Sequence, residues 1–495
     1  MTAAGPRHGG AGAGGTTAGG PGALAIVLHT HLPYVEGFDT WPFGEEWLWE
    51  AAATCYLPLL ELLDRRADAA ALTLSVTPVL ADQLLAPGVG DRFRSFLDET
   101  REDVYAREIG GFLDGGHADE AAALQALREV YRDARHADGG PEPADGIAAG
   151  LLRHAAWTSS ATHAVLPLLA TPQGLDAQLG VGIDSHRRRT GRWAGGLWLP
   201  ECAYDPALDG ALAAHGVRTA CVDLTDRLGA GDPAHLRPYA TTGGTTLLPL
   251  DRTLMDLVWS DGAMPAHAAY RDTHRRTTFH LMPWSNDGRA WDPGRARRRA
   301  RADAATFVAA ATARVAGGGL ATVALDTEFL GHWWLEGIWW LEAVLDEAAV
   351  QGLAVVHADD AAARARAAGV VPLPAAARAT STWGTPRDLW TWSGPQVADL
   401  AWRARRAELD VVAAGPGATD RAWRELLALQ SSDWAFLRTR GTAGDYPDRR
   451  AAGHAQRLRE ELAAPGSLEP ALRGLAPDAG EQHGATRPQA SAAER

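Results

Sequence analysis

The residues best equipped for chemistry are carboxylates placed where strands should end. Glu201 lies in Gly195-Gly-Leu-Trp-Leu-Pro-Glu-Cys-Ala-Tyr-Asp205, between the aromatic residues Trp198 and Tyr204. Proline cannot donate to a sheet ladder, so a strand through Leu197–Leu199 should stop at Pro200 and project Glu201 from its end. A second acidic pair, Asp326 and Glu328, follows the apolar run Leu320–Leu325. Two carboxylates on strand ends are the minimum equipment for glycosidic bond cleavage. Asp326 and Glu328 stand at i, i+2 and would share a face if the strand continued. Spacing alone leaves open which of them is the acid. The plainer alternatives are a surface glutamate at a strand-to-loop junction, or a carboxylate satisfied by an arginine or a backbone N–H.

Histidines widen the chemistry. His29 and His31 flank a single threonine after the apolar run Leu24–Leu28, and His163 follows Trp157 at another expected strand end. Imidazoles with a carboxylate such as Asp326 can ligate zinc, as in metal-dependent amidohydrolases. That chemistry calls for further histidines at later strand ends and often a bridging lysine. The alternative is that the imidazoles hydrogen-bond sugar hydroxyls or orient the acids.

Composition removes several other classes. All 47 basic residues are arginine, which excludes a Walker-type phosphate loop, a Schiff-base lysine and a carboxylated-lysine metal bridge. A net charge of -14 argues against nucleic acid as the main partner. Cys55, Cys202 and Cys221 form no metal-binding pair and no disulfide framework, so a reducing cytoplasm is the expected location. The run Leu24–Leu28 is too short to span a membrane. The 19 Trp outnumber the 9 Phe and the 8 Tyr, and many are clustered, as at Trp333-Trp334 and Trp339-Trp340. An indole face stacks on the C–H face of a sugar ring, and its N–H adds a donor.

These residues need a scaffold that gathers strand ends. Apolar runs at 24–28, 72–78, 195–199, 219–223, 320–325 and 353–357 read as strands, with weaker candidates at 245–250 and 278–283. Helical patterns at 48–64, 205–216, 304–316 and 338–349 alternate with them, which argues a parallel α/β fold. Active residues of such barrels gather at the C-terminal strand ends. Residues 91–150 read as a helical insertion, and 376–463 as a C-terminal helical domain with helices at 399–414 and 419–437. Residues 1–22 and 464–495 have the Gly/Ala/Pro-rich composition of disordered tails.

Five ordered stretches resemble glycoside hydrolase family 57, and within it the 1,4-α-glucan branching enzyme group. They are His29-Thr-His31-Leu-Pro-Tyr34, Ala161-Thr-His163, Trp198-Leu-Pro-Glu201-Cys-Ala-Tyr204, Asp326-Thr-Glu328-Phe-Leu-Gly-His332-Trp-Trp334-Leu-Glu336-Gly337 and Gln430-Ser-Ser-Asp433-Trp434. The resemblance covers roughly residues 24–460 and implies a (β/α)7 barrel of TIM type. It implies Glu201 as the nucleophile and Asp326 as the general acid/base of a retaining reaction on α-glucan. It also implies substrate contacts from His29, His31, His163, Trp198, Tyr204, Arg252, Trp259, His332, Trp383, Trp392 and Asp433. No metal and no cofactor are expected. The chain departs from the group in two places, one of them an altered arginine motif around Asp251-Arg252-Thr-Leu-Met. The resemblance implies a tyrosine-bearing loop beyond the nucleophile strand, whereas Leu224–Arg237 is short and contains no tyrosine. A poorly shielded intermediate would be hydrolysed more often, so an α-amylase-like hydrolase is the alternative. An inactive glucan-binding protein is a more distant one.

Overall fold

The computed structural model describes residues 22–38, 40, 43–136, 143–467 and 472. The expected tails lie outside these residues apart from residues 22, 464–467 and 472. Ten strands are formed: β1 (Ala23–Thr30), β2 (Thr73–Val76), β3 (Ala155–Trp157), β4 (Gly196–Leu197), β5 (Thr219–Val222), β6 (Tyr239–Ala240), β7 (Thr246–Pro249), β8 (Leu320–Asp326), β9 (Ala354–Val355) and β10 (Val371–Pro372).

Seven of them run parallel and close into a ring. β1 lies between β2 and β8, β2 pairs with β3, and β5 lies between β4 and β7. Two single bridges complete the circle: Thr158 to Leu197 joins β3 to β4, and Leu250 to Thr322 joins β7 to β8. This is the expected (β/α)7 barrel. The other three strands lie outside the ring. β9 pairs with Ala23 and Leu24, on the stretch of β1 before its pairing with β2 begins at Val27. β6 runs antiparallel to β7, and β10 pairs with β6.

Closure explains the composition of the central strands. A parallel strand covered on both faces should read as a continuous apolar run, and Leu24–Leu28 is fully buried. The flanking helices are started by local chemistry. The Thr171 side chain accepts from Gly174 N ahead of Pro172, and Asp292 accepts from Gly294 N and Arg295 N ahead of Pro293. Between β2 and β3 stand the helices Val89–Ser95, Glu102–Asp114, Ala118–His136 and Pro143–His154, where the insertion was expected. Its residues 137–142 lie outside those described.

Three sequence expectations need correction. The helix at 48–64 is interrupted by a π segment, Ala52–Tyr56, between Glu45–Ala51 and Leu57–Arg65. The wider turn sets Cys55 Sγ on Thr327 O at 3.0 Å and Tyr56 Oη on Glu328 Oε1 at 2.6 Å, so the segment serves the end of β8. Residues 278–283 are not a strand. Thr277 accepts from Leu281 N through its hydroxyl and from His280 N through its carbonyl, and this local turn displaces strand pairing. The helix at 419–437 is two helices, Asp420–Leu429 and Ser432–Arg440. Ser431 bridges to Ala164 and Ser432 N donates to His163 O, which breaks the helix at the barrel mouth.

The core leaves no slack beneath the site. A Cβ on Gly196 would lie 2.0 Å from Cδ1 and Nε1 of the buried Trp157 indole. Gly196→Ala is therefore expected to destabilise the fold by about 1–3 kcal/mol, as overpacking of a core does. Chemical denaturation should show this as a lower midpoint with an unchanged slope.

Candidate active site

The barrel brings the chemistry-bearing residues to one end. His29 is the penultimate residue of β1, and its register partner on β8 is Asp326, the last residue of that strand. Glu201 follows β4 in a 3-10 turn, with φ at 59°. His163 at 61° and Cys202 at 50° are likewise left-handed. Non-glycine residues seldom adopt that conformation, and they do so where the surroundings compel it. Here the turn lifts Glu201 away from its strand and into the mouth.

Two donors hold Glu201. Ser432 Oγ donates to Oε1 at 2.8 Å and Trp383 Nε1 donates to Oε2 at 3.2 Å. Burial pushes the Glu201 pKa up, and both hydrogen bonds work against that rise by favouring the carboxylate. Asp326 carries no such bond among the described residues. Its pKa stands well above the ordinary aspartate value, first from burial and then from the charges of Glu328, Glu201 and Asp433. Glu328 differs again. Its Oε1 accepts from Tyr56 Oη and from His31 N at 3.0 Å, and burial raises it to about 7. The strand ends at Asp326, and Thr327–Phe329 turns as a 3-10 segment, so the two acids do not share a strand face. Asp326 is the acid left open to the mouth; Glu328 is committed to holding the wall.

The imidazoles form a stack. His29, His31 and His163 have ring centroids 4.0–5.9 Å apart, with interplanar angles of 20–24°. His29 Nε2 lies 2.9 Å from His163 Nε2, and His163 Nδ1 lies 2.9 Å from Ser432 Oγ. His31 is clamped between Thr77 Oγ1 at 3.1 Å and the Asp433 carboxylate at 3.1 and 3.2 Å. Burial lowers His29 and His163 well below the ordinary value. Burial also acts to lower His31, but the Asp433 charge and hydrogen bond, with Glu328 and Glu201, outweigh it and leave His31 raised. The ring nitrogens that would ligate a metal are thus occupied by one another or by side-chain oxygens. Among the described residues no group of three or more His, Cys, Asp or Glu is arranged to hold a metal ion.

An aromatic wall adjoins the acids. Trp383 stacks towards Trp259 at 6.1 Å, and Trp259 meets Phe329 at 4.7 Å. Trp259 is 39% exposed, enough to offer its face to a sugar ring. Arg252 sits behind this wall, donating through Nε to Asp223 Oδ2 at 2.7 Å and through Nη2 to Trp383 O.

Other expected contacts sit elsewhere. Trp198 is wholly buried and forms a floor, stacked on His29 at 4.8 Å and edge-on to Trp383. Tyr204 is buried among Leu166, Leu199 and Leu208, its hydroxyl donating to Asp209 Oδ1 at 2.7 Å. Trp392 is packed in the helical core with Val397, Leu400 and Trp434. His332 meets Trp333, and burial together with Arg271, Arg276 and Arg101 brings it down to about 4. The structure therefore gathers Glu201, Asp326, the three histidines, Asp433, Trp259 and Trp383 at the mouth, with Arg252 in support. Trp198 lies beneath it as a floor, and Tyr204, Trp392 and His332 are left out of it. Sequence reasoning passed over Ser432, Thr77, Tyr56 and Asp223. Ser432 carried a signal as the neighbour of Asp433 in a motif already singled out, and Thr77 and Asp223 as residues at expected strand ends; Tyr56 carried none.

Comparison with known proteins agrees with this geometry. Residues 156–374 match the profile of glycosyl hydrolase family 57, and residues 401–468 match that of the 1,4-alpha-glucan branching enzyme C-terminal region. A probable 1,4-alpha-glucan branching enzyme of Mycobacterium tuberculosis is 32% identical, over 89% of this chain and 91% of that one. A 1,4-alpha-glucan branching enzyme of Thermococcus kodakarensis is 29% identical, over 89% of this chain and 74% of that one. The crystal structure of a GH57-type branching enzyme from Pyrococcus horikoshii superposes with a TM-score of 0.80 at 28% identity, over 93% of this chain and 94% of that one. With a barrel of seven strands, a helical region closing on its mouth and a relative 32% identical over 91% of its length, the chain belongs to glycosyl hydrolase family 57.

Proposed function

We propose that the protein is a retaining 1,4-α-glucan branching enzyme in which Glu201 is the nucleophile and Asp326 the general acid/base. The observation that carries this reading is the unequal treatment of the two acids. Glu201 receives two hydrogen bonds that favour its charged form, whereas Asp326 receives none from the described residues and faces the charges of three other carboxylates. Environments that push two carboxyl groups apart in this sense assign the ionised nucleophile and the protonated acid.

The reaction runs in two transfers. A Glu201 oxygen bonds to the anomeric carbon while the C1–O4 bond breaks. The Asp326 proton passes to the departing O4, giving a glycosyl ester on Glu201 and a free 4-hydroxyl on the released chain. Asp326, now ionised, takes the proton of an incoming glucan 6-hydroxyl. That oxygen bonds to the same carbon, Glu201 leaves, and an α-1,6 branch is formed. Water in place of the 6-hydroxyl gives hydrolysis. The wall of Trp259, Phe329 and Trp383 offers the apolar faces that glucose rings require.

One observation favours a measurable share of hydrolysis. The tyrosine-free segment after β5 is tied to the structure beside it: Arg387 donates to Asp226 at 2.8 Å, and His235 bonds Leu250 O and Gly229 O at 3.2 and 3.1 Å. It brings no aromatic residue to shield the ester.

Four outcomes follow. Incubation with amylose should yield new α-1,6 linkages in excess of new reducing ends; reducing ends without α-1,6 linkages would make the protein a hydrolase. Glu201→Gln and Asp326→Asn should each lower kcat/KM by about four orders of magnitude at an unchanged melting temperature. The pH profile of kcat/KM should be bell-shaped. Its acid limb marks protonation of Glu201, above the ordinary glutamate value, and its alkaline limb marks loss of the Asp326 proton. Glu328→Gln keeps an oxygen for Tyr56 and His31 but removes a charge that holds the Asp326 proton, so the alkaline limb alone should move to lower pH.

A further inference from the structure

We infer that Ser432 is the positioning residue of the nucleophile, its hydroxyl orienting Glu201 at the end of a one-way hydrogen-bond chain that runs His29, His163, Ser432, Glu201. The inference deepens the proposed function and rests on Glu201 being the nucleophile.

The direction follows from counting protons. An ionised carboxylate only accepts, so the single Ser432 hydroxyl proton points at Glu201 Oε1. Towards His163 Nδ1, Ser432 Oγ can then only accept, which places a proton on that nitrogen. Burial keeps His163 neutral, so its Nε2 is bare and accepts from His29 Nε2–H. His29 in turn keeps a bare Nδ1, 3.5 Å from Ser75 Oγ. Every donor in the chain points towards Glu201, and each bond polarises the next. His163 Nδ1 also lies 3.7 Å from Glu201 Oε1, so its N–H adds to the field at that oxygen without displacing Ser432. The other charged groups facing Glu201 are Asp433 and His31, and Glu201 in turn faces Asp326.

Ser432 comes from the helical region and Glu201 from the barrel, 231 residues away in sequence. The contact forms because Ser432 N donates to His163 O and Ser431 bridges to Ala164, which starts a new helix at Ser432. The nucleophile is thus completed only when the helical region is seated on the barrel. Behind Ser432 lies a cavity of about 300 Å3, bordered by Val165, Trp392, Leu400 and Trp434. Ser432→Thr keeps the hydroxyl and adds one methyl at a residue that borders this cavity.

The test uses the full chain with an activated maltosyl donor. Ser432→Ala should lower kcat about 30-fold with KM within about two-fold. It should also raise the acid limb of the pH profile by about one pH unit, because a bond favouring the ionised form is gone. Ser432→Thr should restore both to within about three-fold of the parent. Wild-type kcat and an unmoved acid limb in Ser432→Ala overturn the inference, as does an activity loss that Ser432→Thr does not restore. If Glu201→Gln is also active, the nucleophile assignment itself has failed. Nitrogen-15 histidine spectra of the unaltered protein give a check that needs no variant. They should show His163 protonated at Nδ1 and His29 at Nε2, and the opposite tautomers overturn the chain.

Discussion

Glu201, Asp326, Glu328 and Asp433 are crowded into one buried barrel mouth, and like charges in a low-dielectric site cannot all be ionised. The surrounding structure is an answer to that constraint. Glu201 is held by Ser432 and Trp383, Glu328 by Tyr56 and the His31 backbone N–H, and Asp433 by His31. Among the described residues none donates to Asp326, so the excess proton of the cluster settles there. Charge crowding, ordinarily a cost of burial, becomes the source of the acid.

Meeting the constraint requires parts far apart in sequence. The donors come from the π segment before β2, from the loop after β10 and from the C-terminal helices. The barrel segments supply Glu201, Asp326, Glu328 and the three imidazoles, while Asp433 arrives with Ser432 on the C-terminal helices. This accounts for local departures from regularity. The π segment delivers Tyr56, the left-handed turns at His163 and Glu201 aim their side chains, and the broken helix at Gln430–Ser431 presents Ser432 and Asp433 together. Each of these departures sits where a side chain must reach the mouth.

Much of this was legible in the sequence because periodicity and strand-end chemistry are local. Leu24–Leu28 and Leu320–Leu325 announced the two central strands, and the carboxylates and histidines following apolar runs announced the mouth. What escaped depended on partners elsewhere. No spacing rule says that Thr278–Pro283 will turn on the Thr277 hydroxyl, or that a helix through Gln430 will break to pair with Ala164. Tyr204 stands in the motif of Glu201, and Trp392 was a contact implied by the resemblance, yet neither is brought to the mouth. Tyr204 points into an apolar cluster and Trp392 into the helical core. Asp326 and Glu328 were indistinguishable by spacing, and only the hydrogen bonds that engage Glu328 separate them.

The central claim is that Glu201 forms a covalent bond to the sugar. A fluorinated maltosyl fluoride, whose electron-poor ring slows breakdown of the ester more than its formation, should accumulate that intermediate. Digestion and peptide mass spectrometry should then find the added maltosyl mass on the peptide carrying Glu201. An unlabelled protein that still turns over the donor, or a label on Asp326 or Glu328, would contradict the account.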